Sequence, residues 1–271
     1  AGRSVGGMHV DKGHSIIIVH TVVKNNNASS GAGCKINNYA FVVTSNVKFI
    51  NNKINRELEG YGGGLYCGNA NVLLLTHSFF IQNSASVSGG GLYAADIKVA
   101  VILSRLSFRK NIANFGGGLA IKTANNVSLS YTLFIQNKAY GVRKDDARSG
   151  GILFKDIKMV FTSKSIFISN KAIQKGGGLN AEKFPRVHLD TVRFFNNSAK
   201  KGGALIANVL KEIYISKVRF LSNRADKAGA MLTRCSYVVM ITNSFFVHNI
   251  AASDTGGLGS EYSCKDLGNM Y

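Results

Sequence analysis

The sequence predicts an all-β protein that folds as a right-handed, single-stranded parallel β-helix, with about 26 to 28 residues per coil and roughly eight to nine coils. Three observations predict this solenoid. Two short motifs recur in a fixed order, most copies are 26 to 28 residues apart, and short apolar runs alternate between glycine and asparagine corners. Because a repeat of this length cannot bury its apolar side alone, neighbouring repeats must stack into one continuous domain.

The first motif is a phenylalanine followed three residues later by an asparagine. An asparagine at a corner tolerates left-handed backbone geometry, and inside the tube its amide can bond to the turn and to the asparagines above and below. We therefore predict a row of stacked phenylalanines and a structural asparagine ladder. The pairs are Phe49/Asn52, Phe80/Asn83, Phe108/Asn111, Phe134/Asn137, Phe167/Asn170, Phe194/Asn197, Phe220/Asn223 and Phe246/Asn249.

The second motif is a pair or triplet of glycines followed by an aliphatic residue. Together with an alternating apolar pair ahead of each phenylalanine, the two motifs predict three short strands per coil and therefore a three-sided tube. The glycines would let the chain turn with positive φ and pack closely. The copies begin at Gly62, Gly89, Gly116, Gly150, Gly176, Gly202, Ala228 and Gly256 and end at Leu65, Leu92, Leu119, Leu153, Leu179, Leu205, Met231 and Leu258.

The repeat divides the chain unevenly. Residues 1–36 are predicted to form an irregular N-terminal strand or cap, or a partial coil, and residues 37–271 are predicted to form the β-helix repeat domain, continuous with them. Other repeat folds fit the sequence less well. Leucine-rich repeats are shorter and have another consensus, propeller blades need about 40 residues, and helical repeats need a helical periodicity that is absent.

The chain has a formal net charge of +19, from 33 Lys and Arg against 14 Asp and Glu. Such a balance favours polyanionic surroundings such as acidic polysaccharide, although a solvated, lysine-rich outer face would explain the charge without a partner. No nucleic-acid recognition motif accompanies the bases, so we expect no nucleic-acid partner. No stretch of about 18 apolar residues encodes a membrane span.

The four cysteines form one pair near each end of the chain, and the members of each pair are close to one repeat apart. Residues one coil apart lie at strand spacing, about 4.8 Å, which suits the Cα separation of a disulfide. We therefore predict the disulfides Cys34–Cys67 and Cys235–Cys264, with four buried thiols as the alternative. Oxidised cysteines imply an extracellular or secretory setting.

Three tripeptides match the N-glycosylation signal, at Asn27, Asn126 and Asn196. That tripeptide is common by chance in a chain rich in Asn and Ser, so the sequons agree with secretion by a eukaryote without requiring it. Together with the predicted disulfides, they favour a glycoprotein that is extracellular or at the cell surface.

The paired motifs resemble the repeats of the polymorphic membrane proteins of chlamydiae, whose surface-exposed regions repeat Gly-Gly-Ala-aliphatic and Phe-x-x-Asn. The direct matches are Phe194/Asn197, Phe220/Asn223 and Gly202-Gly-Ala-Leu205. The resemblance covers roughly residues 49–258 and implies an extracellular β-helix used in adhesion or as a surface scaffold. The third position of the glycine motif is usually Gly here, and similar repeats occur in large secreted proteins of protists and some animals.

Candidate catalytic residues are few. Pectate lyases and polygalacturonases, which share the predicted fold, need carboxylates clustered on one sheet. The best acidic pair is Asp156 and Glu182, which could stack on adjacent coils, followed by Asp145 and Asp146 in an inserted loop. Surface ion pairing explains both pairs better. The six histidines follow no metal-ligand spacing, so we expect no catalytic residue, no cofactor and no metal.

The sequence therefore favours a non-enzymatic extracellular β-helix with a structural or adhesive role. It would contact polyanionic glycans or neighbouring copies through a basic surface, and it could belong to a larger surface protein or a fibre. Open ends of a solenoid expose unpaired strands, which makes self-assembly one outcome. The alternative is a pectate-lyase-like, carbohydrate-active enzyme that acts on acidic polysaccharide.

Overall fold

The computed structural model describes residues 6–29, 31–55, 60–140 and 147–261. These residues form a solenoid of parallel β-strands, and none of them belongs to a helix. The predicted all-β parallel solenoid is therefore confirmed. One sheet has nine strands, one from each successive coil, so the described part of the chain makes nine coils.

The strands, numbered in chain order, fall into three groups. The first group forms an eleven-stranded sheet of mostly long strands: β1 (Met8–Val19), β4 (Cys34–Ser45), β7 (Leu65–Thr76), β9 (Leu92–Ser104), β12 (Leu119–Ser130), β15 (Ile152–Ser163), β18 (Leu179–Asp190), β20 (Leu205–Ser216), β23 (Met231–Arg234), β24 (Val238–Thr242) and β27 (Leu258–Glu261). The second group forms the nine-stranded sheet: β2 (Val22–Lys24), β5 (Lys48–Ile50), β8 (Phe79–Ile81), β10 (Ser107–Arg109), β13 (Leu133–Ile135), β16 (Ile166–Ile168), β19 (Arg193–Phe195), β21 (Arg219–Leu221) and β25 (Phe245–Val247). The third group contains two-residue strands: β3 (Asn27–Ala28), β6 (Lys53–Ile54), β11 (Ile112–Ala113), β14 (Lys138–Ala139), β17 (Lys171–Ala172), β22 (Arg224–Ala225) and β26 (Ile250–Ala251).

Most long strands turn once near their middle, at a residue with positive φ. This residue is Asp96 in β9, Thr123 in β12 and Asp156 in β15, with φ of 58°, 59° and 54°. The turn divides each long strand into two segments that face different directions. The first segment, which follows the glycine corner, supports a groove on the outer surface.

The predicted phenylalanine row lies in the interior. From Phe49 to Phe246 each ring stacks on the ring of the next coil, with centroids 4.6 to 5.1 Å apart and interplanar angles of 2° to 15°. All of these rings except Phe246 are fully buried. Burying a phenylalanine contributes about 2 to 3 kcal/mol, so the row is a main source of stability for the core.

The predicted asparagine ladder is also present. At each step the backbone N–H and the Nδ2 of one asparagine donate to the Oδ1 of the next, as in Asn111 to Asn137, where both distances are 3.0 Å. The Nδ2 also donates to a carbonyl of the preceding coil, as in Asn137 to Phe108 at 2.9 Å. The amide hydrogens and the oxygen are therefore paired without water.

The ladder continues without interruption through the coils on both sides of this step. Asn83 donates to Asn111 from its N–H at 3.0 Å and from its Nδ2 at 3.1 Å. Asn170 donates to Asn197 in the same way, with both distances 3.0 Å. Asn249 is partly buried, whereas the other ladder residues are fully buried: Asn52, Asn83, Asn111, Asn137, Asn170, Asn197 and Asn223.

The expectation that these asparagines adopt left-handed backbone geometry is wrong. The left-handed residue at this corner is the one before the ladder asparagine, for example Asn51, Gln82 and Lys110, with φ of 53°, 55° and 54°. Asparagine recurs at the ladder position because its amide satisfies the turn and the neighbouring coil, not because it relieves backbone strain. The correction applies to all the predicted ladder residues, since positive φ is absent from Asn52, Asn83, Asn111, Asn137, Asn170, Asn197, Asn223 and Asn249.

The first coil is more regular than the sequence predicted. The strands β1, β2 and β3 pair in parallel with their equivalents in the second coil. Val23 takes the place of phenylalanine, in register with Phe49. Asn26 extends the ladder by one step, because its Nδ2 donates to Asn52 Oδ1 at 2.9 Å.

The fifth coil shifts one motif by a residue. The strand register pairs Leu119 with Ile152, not with Leu153, so the glycine corner of this coil begins at Ser149. Ser149 adopts the positive φ, 60°, that glycine adopts at Gly116 and Gly176. The next position in these corners needs glycine for lack of space. At Gly90, for instance, an added Cβ would lie 2.4 Å from the Gly117 carbonyl oxygen.

The predicted disulfide Cys34–Cys67 is wrong. Both residues are free thiols in the core, and the register pairs Cys34 with Leu65 and Ile36 with Cys67. An offset of two residues places their Cα atoms roughly 8 Å apart, beyond the reach of a disulfide. The inserted residues between β6 and β7 lengthen this coil to 31 residues, whereas the cysteines are 33 apart. The prediction Cys235–Cys264 involves Cys264, which lies outside the described residues.

Candidate functional site

A groove runs along the outer face of the long-strand sheet, beside the glycine corner, and is called the outer groove. Three rows of residues, each stacked coil upon coil, form it. The first wall precedes the glycine corner and contains Tyr61, Ser88, Phe115, Arg148, Lys175, Lys201 and Lys227. The floor follows the corner and contains Tyr66, Tyr93, Ala120, Leu153, Asn180, Ile206 and Leu232. The second wall lies two residues further on and contains Ala95, Lys122, Lys155, Glu182, Asn208, Arg234 and Glu261.

The part of the groove nearer the N-terminus is aromatic. The Tyr93 ring lies 4.8 Å from that of Tyr61 and 5.5 Å from that of Tyr66, measured between centroids. Phe115 and Leu153 complete an apolar cluster around them. Burial raises the pKa of the Tyr93 hydroxyl, and the neighbouring tyrosines add to the effect. These residues are called the aromatic half of the groove.

The part nearer the C-terminus is charged. Arg148 donates from one nitrogen to both carboxylate oxygens of Glu182, at 3.0 Å each, across the floor of the groove. Asn180 also donates to Glu182, at 3.0 Å. Glu182 is almost fully buried, so both its oxygens are held in one position.

A second carboxylate, Glu261, is shared among three bases. Lys201 Nζ lies 3.0 Å, Arg234 Nε 2.9 Å and Lys227 Nζ 3.8 Å from its oxygens. Burial alone would raise the pKa of Glu261, but the hydrogen bond from Lys201 and the charges of these bases outweigh burial and lower it. The residues Arg148, Lys175, Lys201, Lys227 and Arg234 are called the cationic half of the groove.

Lys175 differs from the other bases of this half. Its side chain is half-buried between Arg148 and Lys201, and its ammonium makes no ion pair with any residue that the structure describes. Burial lowers the pKa of Lys175, and the charges of Arg148, Arg234 and Lys201 lower it further, against the opposing effect of Glu182. The cationic half thus has more positive charge than its two carboxylates neutralise, and it can bind an anion.

The two halves meet in a cavity of about 300 Å³. Tyr61, Tyr93 and Phe115 line one part of it, and Arg148 and Glu182 line the other. Two lysines of the second wall also contribute to its lining. A volume of this size is at the lower limit for small-molecule sites, so it fits one or two rings of a ligand.

The predicted acidic pair is not formed. The register pairs Glu182 with Lys155, and Asp156 lies one residue further on, exposed at the turn of β15. The mistake follows from the shifted glycine motif, since Asp156 was aligned through Leu153 and not through Ile152. The second candidate pair, Asp145 and Asp146, lies outside the described residues. In the rest of the chain that the structure describes, no three His, Cys, Asp or Glu residues are grouped as metal ligands.

The three sequon asparagines, Asn27, Asn126 and Asn196, all have exposed side chains. They lie on different parts of the coil and not in the outer groove. Of the histidines, His188 lies on the outer side of β18, where its ring stacks on Tyr214 with centroids 4.6 Å apart. It belongs to a stacked surface row and not to the groove.

Sequence reasoning missed most of the groove, including Tyr61, Tyr93, Arg148 and Lys175. None of these residues belongs to a recurring motif, because each groove row changes residue type from coil to coil. The one usable signal was the position after the glycine motif, where Tyr66 and Tyr93 occupy equivalent places.

Comparison of the chain with protein-family models, with curated proteins and with solved structures finds no match. Within the described ranges, the structure also contains no helix with the length and apolar character that crossing a membrane requires. The function must therefore be inferred from the groove itself.

Proposed function

We propose that this protein is a non-enzymatic, extracellular solenoid with a structural or adhesive role, and that it contacts acidic polysaccharide through the cationic half of the outer groove. The observation that carries the proposal is the unpaired, half-buried Lys175 among Arg148, Lys201 and Arg234. An anion beside Lys175 would compensate the charge that the two groove carboxylates leave unbalanced.

A polymer suits this site better than an isolated anion. Successive coils are about 4.8 Å apart, so the bases of the first wall form a regular series along the solenoid axis. A chain with one acidic group on each sugar could meet several of these bases in turn. The buried Oδ1 atoms of Asn180 and Asn208 have no donor in the described structure, and sugar hydroxyls could donate to them.

The extracellular setting is supported by the three exposed sequon asparagines, and the net charge of +19 supports an anionic partner. A scaffold or adhesin role, as in the chlamydial surface proteins whose repeats these motifs resemble, agrees with a long outer surface and a rigid interior. Contacts with neighbouring copies or other extracellular proteins are part of the same proposal.

The test measures binding of the purified protein to acidic and neutral polysaccharides at low and high salt, together with the length of the polymer after incubation. We expect binding to acidic polymers that salt weakens, without shortening of the polymer. Lys175→Met should weaken that binding about tenfold and reduce its salt dependence. Lys158→Met, which removes an exposed lysine of β15 outside the groove, is the control and should change the affinity less than about twofold. Equal affinity of the Lys175→Met variant and the unmodified protein would contradict the assignment to the groove.

A polysaccharide lyase is the second candidate, and Lys175 is the observation that favours it. A lysine with a lowered pKa in a cationic groove could take the proton α to a uronate carboxylate, while the bond to the leaving sugar oxygen breaks and a carbon–carbon double bond forms. Shortened polymer with ultraviolet absorbance from the unsaturated product, lost in Lys175→Met, would establish this activity in place of the adhesive one.

A further inference from the structure

We infer that the aromatic half of the outer groove is a ring-binding subsite that stacks a sugar of the same acidic polymer whose charged groups bind at the cationic half. This inference rests on the proposed function, and it adds the site that positions the polymer. It assigns a role to Tyr61, Tyr93 and Phe115, which charge alone leaves unexplained.

The geometry of the tyrosines supports a stacked ligand. The Tyr61 and Tyr93 rings are inclined by 44° and not stacked in parallel as the interior phenylalanines are. They lie on the first wall and the floor respectively, so together they form an angled apolar surface that opens onto the cavity. The apolar face of a pyranose ring could pack on such a surface, as sugars do on aromatic side chains.

The Tyr93 hydroxyl provides a polar contact at the floor of this surface. Tyr93 has only 8% of its surface exposed, yet its hydroxyl makes no hydrogen bond within the described residues. The oxygen is not fully enclosed either, since it does not belong to the buried atoms that lack a partner. A buried phenol normally finds a partner, so a ligand hydroxyl in the cavity is the group that this oxygen would bond.

The continuity of the two halves gives the polymer its orientation. The same cavity is lined by Tyr93 of the aromatic half and by Arg148 of the cationic half. One sugar seated on Tyr61 and Tyr93 therefore places the next ring, and its acidic group, towards Arg148 and Lys175. The preferred ligand is a polymer in which an uncharged ring face and an acidic group alternate along the chain, and not a densely charged polyphosphate.

The experiment compares Tyr61→Ala and Tyr93→Phe with the unmodified protein across a series of salt concentrations, using the acidic polysaccharide that binds best. We expect Tyr61→Ala to weaken binding about fivefold and Tyr93→Phe about threefold. Neither variant should change the slope of log affinity against log salt, since ring stacking releases no counterions. The control is Tyr131→Ala, which removes an exposed tyrosine held by Lys164 at another corner and should leave binding unchanged.

The outcomes separate the inference from the proposed function. If the unmodified protein binds no acidic polymer, the proposed function fails, and tyrosine fluorescence with neutral oligosaccharides then tests the subsite by itself. Unchanged affinity in both tyrosine variants, with normal binding by the unmodified protein, would overturn the subsite alone. Tyr93→Phe removes a single oxygen, so it keeps the test decisive if Tyr61→Ala fails to fold. Equal affinity for inorganic polyphosphate and for the sugar polymer would also contradict the inference.

Discussion

The interior of the solenoid and its outer groove are built on the same strands but differ in how their side chains vary. In the interior, each row keeps one kind of residue along nearly its whole length, as the stacked phenylalanines and the asparagine ladder show. In the groove, each row changes from aromatic to charged residues between Tyr93 and Arg148. The interior rows must repeat because each side chain is the packing partner of its own equivalent, whereas an outer row faces solvent and can change at every coil.

This difference separates stability from binding. Variants of the interior should destabilise the protein without a specific effect on ligand affinity. Variants of the groove should change ligand affinity at a small cost in stability. Thiol labelling, unfolding and binding measurements test this separation, from the largest expected effect to the smallest.

The interior thiols should react very slowly in the native protein. Burial raises the pKa of Cys34 to about 12 and that of Cys67 to about 12, and in the second case the charge of Cys34 adds to the effect. At mildly alkaline pH, alkylation of both residues should be roughly a thousandfold slower than that of a free cysteine, because so little thiolate forms. Peptide mapping after alkylation, with and without urea, measures this. A linked Cys34–Cys67 peptide, or fast labelling without urea, would show that the register between β4 and β7 is wrong.

Asn137→Ala should lower the free energy of unfolding by about 3 kcal/mol or more. It removes the acceptor of the Asn111 N–H and Nδ2 and the donor to the Phe108 carbonyl, and all of these groups are buried. Urea unfolding gives the value. Asn126→Ala, which removes an exposed asparagine from the same coil, is the control and should cost less than about 0.5 kcal/mol. Similar losses in the two variants would contradict the role of the ladder.

Glu182→Gln should raise the affinity for acidic polymer about threefold while lowering the free energy of unfolding by about 1 to 2 kcal/mol. The carboxylate repels an anionic ligand, but it also holds Arg148 through two hydrogen bonds. Glu212→Gln is a matched control, because Glu212 pairs with Arg186 at 2.8 Å on a more exposed surface outside the groove. Binding and urea unfolding are measured for both variants, and weaker binding by Glu182→Gln would count against the charge argument.

Lys175→Met should raise the free energy of unfolding slightly at pH 7, by less than about 1 kcal/mol. The folded state lowers the pKa of Lys175, so charging this group opposes folding, and the opposition is complete at pH values below the folded-state pKa. As the pH rises towards the ordinary lysine value, about 10.4, the unfolded chain holds the proton more tightly and the unmodified protein gains stability. The advantage of the variant should therefore shrink between about pH 7 and pH 10. A constant difference over this range would contradict the lowered pKa.

The sequence predicted the interior much better than the groove. Phenylalanine and asparagine recur because each contacts its own equivalent, so periodicity alone revealed the ladder from Asn52 to Asn249. Asn26 was missed because Val23 replaces the phenylalanine that marks the motif. The shift at Ile152 was missed because Ser149 can adopt the left-handed conformation that the motif assigns to glycine.

The groove could not be predicted in the same way. Arg148 and Glu182 are 34 residues apart in sequence, and their contact depends on the register of a coil that contains an insertion. An error of one residue in that register moves every outer side chain to another row, as happened with Asp156. The cysteine prediction failed for the same reason, since two residues of offset at strand spacing exceed the reach of a disulfide.

The asparagine ladder also gives the molecule an electrical direction. From Asn26 onwards every ladder amide donates towards the C-terminal coils and accepts from the N-terminal side, so the side-chain amide dipoles point the same way along the axis. Dipoles in such a chain polarise one another and add. The positive pole of this row lies at the end of the solenoid where Arg234 and Lys227 also lie. The interior amides and the surface bases therefore create a potential of the same sign, and an approaching polyanion would be drawn first towards the C-terminal coils.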